Sequence, residues 1–461
     1  MTKSRFESII RVSVKFSQIY ASGNSETKVM LIQFQVANYR SFKEPEIFSM
    51  VAAKISSKDK SIDVNNVINL SDNPDLLTSA AIYGANASGK SNLITAMRFM
   101  KTFVLNSLQD FQADEVIGVE PFRLSEETID LPSSFEIVFI LDDRRYRYGF
   151  EVDTEKVVSE WLYHVPSSRE TRLFERNGEN ISISSAFREG KTELFALTRH
   201  NALFLSVVAQ FNGELSRKIL RWFRGLGISS GLNDRSYRLY TIQNLEKDRY
   251  RDEIIDFVRR LDLGISDIEI EHEITDYQQS LPGFGVEPRP ITRSVVKTAH
   301  RKFDIEGKPS TIENFNLDLH ESEGTRKLFA FAGPIIDTLQ SGKILIVDEL
   351  DARLHPLITC AIIDLFNSVR NNPHRAQLVF TTHDTNLLSN KLFRRDQIWF
   401  AEKDKKGATH LYSLVEFKVR NDASFEKDYV SGRYGAIPFI GDLSKVVETH
   451  TDEEGAEATD E

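Results

Sequence analysis

Gly84-Ala85-Asn86-Ala87-Ser88-Gly89-Lys90-Ser91 is the stretch that decides how this 461-residue chain folds. It fills every fixed position of the pattern G-x-x-x-x-G-K-[ST]. Composition alone would place such a match in a chain of this length about one or two times in a hundred. The two glycines let the backbone curl so that its N–H groups converge on phosphates, and a following helix adds its positive end. Lys90 then reaches the outer phosphates, and the Ser91 hydroxyl suits Mg²⁺. The plainer alternative is a glycine turn before a helix, with Lys90 merely solvated.

The flanks favour the phosphate loop. Ala80 to Tyr83 is a short apolar run that reads as a strand, and Asn92 to Leu105 repeats at helical spacing. Far downstream, Ile344-Leu345-Ile346-Val347 ends in Asp348-Glu349. A strand ending in two acids beside a phosphate loop can hold Mg²⁺ through Asp348. It can also orient or deprotonate the attacking water through Glu349. A helix over Pro356 to Ser368 and a strand over Gln377 to Thr381 follow, then a strand over Gln397 to Glu402. Continuous β-branched runs separated by a helix imply a parallel sheet buried on both faces.

Two further features lie on that frame. Glu321-Ser322-Glu323-Gly324-Thr325 opens a helical run from Arg326 to Leu339. Ser322 and Gly324 at a helix start make either an anion site or an ordinary cap. His383 follows the Gln377 strand and could touch the terminal phosphate or the attacking water; otherwise it is a loop histidine. Leu31 to Val36 alternates as a first strand and leads into Asn38-Tyr39-Arg40-Ser41-Phe42.

The order of these motifs resembles the ABC-type ATPase head of the SMC/RecF/OLD clade. In that resemblance Gly84–Ser91 stands for Walker A, with Asn92 beside it. Ser322, Glu323, Gly324 and Thr325 stand for the signature, and Ile344–Glu349 for Walker B. Asp351, Arg353 and His355 lie in the D-loop, and His383 stands for the H-loop. The implied fold is α/β: an ABC-type P-loop NTPase head with a mixed or parallel sheet and flanking helices, an antiparallel β-subdomain and an inserted helical lobe. The implied ligands are ATP and Mg²⁺. Gly84, Ala85, Asn86, Ala87, Ser88, Gly89, Lys90, Ser91 and Asn92 would bind nucleotide, with Arg40 and Ser41 of the first strand's loop nearby. Ser91 and Asp348 would hold the metal. Glu349, His383 and Lys90 would act in cis, and the signature would act across a head-to-head dimer. Two departures stand out. Neither Gln109 nor Gln112 sits in a clear Q-loop context, and the signature reads Ser-Glu-Gly rather than the transporter's Leu-Ser-Gly-Gly-Gln. Within the clade the motifs, with Gly432-Arg433-Tyr434-Gly435-Ala436-Ile437-Pro438, are similar to the RloA/AbiL-like "AAA family ATPase" proteins of bacterial anti-phage abortive-infection operons. That resemblance implies an effector acting in trans, of RloB-like kind, because only the segment after His383 remains for a second catalytic centre.

Composition bounds the rest. The formal charge is −10, but Glu448 to Glu461 carries seven acids and no Lys or Arg, so the rest of the chain is at −3. A broad DNA-binding face is disfavoured. Arg144-Arg145-Tyr146-Arg147-Tyr148 reads as one face of a hairpin over 135–152, with Asp142 and Asp143 as charge partners, rather than as a nucleic-acid surface. Arg217, Lys218, Arg221 and Arg224 read as a solvated helix face. The single cysteine, Cys360, excludes an internal disulfide and reads as a buried inert thiol. No apolar stretch reaches membrane-spanning length and no secretory signal is visible, so the expected location is cytoplasmic. The expected divisions are an N-terminal extension (1–29), an ATPase lobe with Walker A and the hairpin (30–190), a helical lobe (191–275) and a second ATPase lobe (276–447). A disordered acidic tail (448–461) closes the chain. Residues 276–293 read as a Pro/Gly-rich loop. Two rival functions fit the motifs: a RecF-like DNA-repair or recombination ATPase, and a scaffold that ATP stabilises without hydrolysis.

Overall fold

The computed structural model describes residues 29–108, 115–165, 169–261, 264–277, 290–420 and 423–438. The expected extension before residue 29, the acidic tail, Gln109 and Gln112 lie outside them. The chain opens with β1 (Val29–Ala37), β2 (Glu46–Ser49), α1 (Lys60–Asn65), β3 (Val67–Ile68), β4 (Leu76–Leu77), β5 (Ser79–Tyr83) and α2 (Lys90–Asn106). An antiparallel run follows: β6 (Ser133–Leu141), β7 (Arg144–Val152), β8 (Val157–Val165), β9 (Thr171–Asn177) and β10 (Asn180–Ile183). Next come α3 (Thr192–Ala196), α4 (Phe204–Gln210), α5 (Glu214–Gly225), β11 (Leu226–Ser230), α6 (Arg235–Glu246) and α7 (Arg251–Leu261). Then β12 (Ile265–Tyr277), β13 (Pro290–Phe303), β14 (Pro309–Asn316) and α8 (Leu317–His320) lead into α9 (Glu323–Ser341). The last part is β15 (Ile344–Asp348), α10 (Pro356–Phe366), β16 (Gln377–Thr381), β17 (Ile398–Lys403), β18 (Thr409–Ser413) and α11 (Phe425–Val430).

Two large sheets carry the molecule. One runs β11-β15-β16-β5-β17-β18, parallel except for the β17–β18 hairpin. The other is antiparallel, in the order β10-β9-β8-β7-β6-β1-β2. The α/β expectation holds, with a mixed sheet and an antiparallel one. Alternate residues of the parallel strands enter different cores, as a period of two demands. Ala80, Ile82, Ile344 and Ile346 join α2, α5 and the antiparallel sheet. Ala81, Tyr83, Leu345 and Val347 join α7, α9, α10 and α11. This two-sided burial is why those strands read as unbroken apolar runs.

The Gln377 amide ties the two sheets together. Gln377, fully buried, accepts from Leu31 N–H at 2.6 Å and donates to the carbonyls of Leu31 (3.1 Å) and Leu77 (3.2 Å). Glu160 on β8 plays a similar part at α4, which has no side-chain cap of its own. Its carboxylate accepts from the Phe204 and Leu205 N–H groups (2.6 and 3.0 Å) and from Tyr148 Oη (3.0 Å). Arg176 stands 4.0 Å away. Burial is the largest influence on Glu160 and raises its pKa.

Several expectations need revision. The hairpin forms over β6 and β7, with Asp142 and Asp143 both at positive φ (52° and 59°) in its turn. The charge partners differ, however. Arg147 pairs with Glu136 and Glu170, both at 2.7 Å, while Asp142 takes Lys218 of α5. Cross-strand and inter-element neighbours win over the adjacent turn acids. The helical lobe expected over 191–275 is not helical throughout. Gly225 ends α5 and Gly227 lies in β11, which pairs in parallel with β15 as an edge strand. A Cβ on Gly227 would lie 3.3 Å from the Ile344 carbonyl oxygen, so the small residue allows the approach. The loop read over 276–293 is shorter at both ends, since β12 runs to Tyr277 and β13 starts at Pro290. Residues 278–289 lie outside the described residues. Cys360 on α10 is part-buried, and burial pushes its thiol up to about 11, which makes it unreactive.

β12, β13 and β14 form a separate antiparallel sheet whose β13–β14 end is exposed over residues 301–315. Its base is tied to the residue before Ser322. Thr298 Oγ1 donates to Glu321 Oε1 at 2.5 Å, and His300 Nε2 lies 2.7 Å from the same oxygen. Among the described residues no helix is long and apolar enough to cross a membrane.

Candidate functional site

The site gathers at the carboxyl ends of β5, β15 and β16, which are neighbours in the parallel sheet. β5 delivers the 84–89 loop and α2 begins at Lys90. Gly89 caps α2 in a left-handed conformation (φ 109°) and supplies no side-chain cap, so the amides of the first turn stay open to an anion. Ala87 also has positive φ (60°), which bends the loop back on itself. Side-chain room is absent at Gly89: a Cβ there would overlap Thr409 Oγ1. Thr409 in turn lies 2.8 Å from both the Ser88 carbonyl and Ser41 Oγ, and its N–H donates to the Ser41 carbonyl at 2.7 Å. Asn92 donates to Ser41 Oγ at 2.7 Å. Ser41 and Asn92 therefore buttress the loop from the first strand and from α2.

Lys90 is buried and donates to the loop's own Gly84 and Ala85 carbonyls at 2.8 and 2.9 Å. Burial pulls its ammonium down to about 8, against the raising pull of Asp348, Glu349 and Asp351. Asn86 and Ala87 line the exposed rim of the loop. Ser88 Oγ is buried with no hydrogen-bond partner. Ser91 Oγ donates to Asp348 Oδ1 at 3.1 Å, joining residues 257 positions apart. That same carboxylate oxygen accepts from Thr381 Oγ1 at 2.6 Å, and Thr381 Oγ1 accepts from the Glu349 N–H at 2.7 Å. Glu349 has positive φ (57°), so its backbone is held in a conformation that few non-glycine residues adopt. Gly231, just past β11, donates its N–H to the Asp348 carbonyl at 2.5 Å, and a Cβ there would overlap the Glu349 carbonyl oxygen.

His383 is exposed, two residues past the buried end of β16. Desolvation and the Lys90 ammonium hold its imidazole below the ordinary histidine pKa, partly offset by Asp351, Glu349 and Asp348. Those four neighbours place it in the same electrostatic cluster. Arg40 turns instead to Glu120, at 3.1 Å, and has positive φ (50°).

Ser322 caps α9, its Oγ accepting from Thr325 N–H at 3.1 Å and lying 2.9 Å from Thr325 Oγ1. The neighbours of this helix start belong to the loop after β15. Glu323 pairs with Arg353 at 3.5 Å, and a Cβ on Gly324 would stand 3.1 Å from the Arg353 carbonyl. Asp351 Oδ1 is buried with no hydrogen-bond partner. His355 caps α10, with Nδ1 accepting from Leu357 N–H at 3.2 Å.

The donor set fits a nucleoside triphosphate with a divalent cation. An open helix N-terminus, an orphaned Ser88 hydroxyl and an ammonium meet a Ser–Asp pair within 3.1 Å. Magnesium at Ser91 and Asp348 would neutralise charge on the phosphates. Among the described residues no group of three or more His, Cys, Asp or Glu is placed to hold a metal ion.

Residues 79–389, more than half of the chain, match the family model described as "AAA domain, putative AbiEii toxin, Type IV TA system". The chain belongs to that family. It accordingly carries an AAA domain, which spans the phosphate loop at Gly84–Ser91 and the acidic strand end at Asp348 and Glu349. No curated protein matches the chain. Among solved structures, the SMC head domain from Thermotoga maritima matches with 14% identity and a TM-score of 0.39, covering 83% of this chain and 98% of that one. The Smc head domain with an extended coiled coil bound to the C-terminal domain of ScpA, from Pyrococcus furiosus, matches with 13% identity and a TM-score of 0.39. It covers 88% of this chain and 99% of that one.

Thr381, Thr409 and Gly231 enter the site's framework without having been singled out in the sequence as site residues. Only Thr381 had a local signal, a threonine at the end of the strand preceding His383. The others act through partners distant in sequence.

Proposed function

We propose that the chain is a Mg²⁺-dependent ATP-hydrolysing switch that works as a pair of copies. The observation that carries this reading is the Ser91–Asp348 contact at 3.1 Å, which brings phosphate loop and acidic strand end together beside Lys90 and Glu349. In this reading Lys90 and the loop amides from Gly84 to Asn92 bind the phosphates. Ser91 and Asp348 take the metal. Glu349 orients and deprotonates the attacking water, and His383 steadies the terminal phosphate. Ser322, Glu323, Gly324 and Thr325 act on the nucleotide of the other copy, with Asp351, Arg353 and His355 at the same boundary. Arg40 joins once its pair with Glu120 opens. ATP closes the pair and hydrolysis releases it, converting binding energy into motion.

The output of such a switch is control of an effector carried by another cytoplasmic protein, in an anti-phage defence setting. Support for the setting comes from the family description, which names a toxin of a toxin–antitoxin system. The test is phosphate release and light scattering on wild type, Lys90→Ala and Glu349→Gln with Mg-ATP. Expected are turnover in wild type only, and an ATP-dependent dimer that Glu349→Gln accumulates and Lys90→Ala cannot form. Wild-type turnover by Lys90→Ala would sink the reading. Co-purification with products of neighbouring genes, with and without ATP, tests the effector.

A further inference from the structure

Lys327 is fully buried on α9, among apolar residues such as Leu328 and Phe331. Burying an ammonium is costly unless every donor finds an acceptor. Here the acceptors are backbone carbonyls: Leu350 at 3.0 Å, Glu349 at 3.4 Å and Ala352. Three donors meet three acceptors of one loop. That loop is an unfavourable piece of chain, with Glu349 and Arg353 both at positive φ (57° and 62°). It persists because it is held on both sides. Thr381 Oγ1 takes the Glu349 N–H, and the Thr381 carbonyl takes the Leu350 N–H at 3.1 Å. Lys327 takes the carbonyl side. It stands on the helix that Ser322 caps, so the placing of that helix start and of the Glu349 backbone share one rigid element.

We propose that Lys327 is a positioning residue for Glu349, transmitting the position of the α9 N-terminus to the backbone that carries this carboxylate. The proposal rests on the reading of Glu349 as the hydrolytic carboxylate. The Lys327 ammonium is spent on the carbonyls of the Glu349 loop, so its loss acts on turnover rather than on binding. The signature's engagement with a second nucleotide would move α9 and, through one ammonium, the carboxylate in its own chain.

The experiment compares wild type, K327M and K327R in full-length protein. K327M keeps the length and removes the donors. Its kcat is expected to fall at least tenfold while KM for ATP and the binding of a fluorescent ATP analogue stay within threefold. Hydrogen exchange should quicken in peptides covering 349–355 and remain unchanged in those covering 84–91. K327R, which restores cationic donors, should recover part of kcat. Unchanged exchange over 349–355 in K327M overturns the proposal whatever the activity, and so does wild-type turnover by K327M. Faster exchange in a protein whose wild type never hydrolyses ATP leaves the brace standing and removes the hydrolytic reading instead. Should K327M fail to fold, K327Q, whose shorter side chain carries fewer donors and turns an oxygen toward these carbonyls, takes its place: slower turnover with faster exchange over 349–355 supports the brace, and unchanged exchange there overturns it.

Discussion

Replacing Thr381 with valine tests how much of the site's geometry depends on one hydroxyl. Valine is close to threonine in shape, so the substitution at this buried position acts chiefly through the lost hydroxyl. What disappears is a pair of bonds: 2.6 Å to Asp348 Oδ1 and 2.7 Å from the Glu349 N–H. A hydrogen bond to a charged group contributes about 1.5–3 kcal/mol, and a buried N–H left unpaired costs about 1–3 kcal/mol. Asp348 Oδ1 keeps its contact from Ser91, which offsets part of the first loss. A net loss of about 2–4 kcal/mol is therefore expected. If a half to two-thirds of that appears as misplacement of Asp348 and Glu349 at the transition state, turnover falls about 5–80-fold, at about 1.4 kcal/mol per decade. The assay is Mg²⁺-dependent phosphate release under saturating ATP, paired with equilibrium binding of a fluorescent ATP analogue, which should change less than turnover. Thr381→Ser keeps the hydroxyl and should stay within a few-fold of wild type. A Thr381→Val protein with wild-type turnover would show that the hydroxyl does not set the geometry of the two acids.

Other substitutions probe the frame. Gln377→Leu orphans the Leu31 N–H and the Leu31 and Leu77 carbonyls and should lose at least about 3 kcal/mol in denaturant unfolding. A loss under about 1 kcal/mol would mean that water replaces the amide. Glu160→Ala strips the α4 cap and leaves buried Arg176 uncompensated, for about 3–5 kcal/mol, whereas Glu160→Gln should cost less; equal losses in the two would contradict the capping role. Gly231→Ala should leave nucleotide binding intact but depress turnover at least tenfold, because its Cβ displaces the Glu349 carbonyl. Gly89→Ala combines a left-handed backbone with a clash on Thr409 and should abolish binding of the ATP analogue; retained binding would show that the loop re-forms around the methyl.

The phosphate loop, both flanking elements and the acidic strand were legible because each is local: a glycine-lysine pattern or an uninterrupted apolar run. The parallel sheet followed from those runs. β11 was not legible, since Gly225 and Gly227 look like breakers until Ile344 is placed beside them. The partners of Arg147 were missed for a similar reason. Cross-strand placement selects Glu136 and the segment leading into β9 brings Glu170, and nothing adjacent in sequence hints at either. The supports of the site are the most remote of all. Thr409 reaches Ser41 across 368 positions and Gln377 reaches Leu31 across 346, distances at which no periodicity speaks. Lys327 was hidden differently, as an ordinary charge in an amphipathic-looking helix start that turns out to be wholly buried.

The β13–β14 hairpin has a consequence for how such a chain can be lengthened. Its far end, around Ile305 and Gly307, stands clear of the other described residues, while its base is fixed by the Thr298 and His300 contacts to Glu321. Loop closure grows only slowly more costly with length, by about 0.6 kcal/mol per doubling. Whole modules could therefore be spliced in at residues 304–308 while the helix start at Ser322 keeps its place, which makes this tip the natural grafting point for a reporter or an added domain.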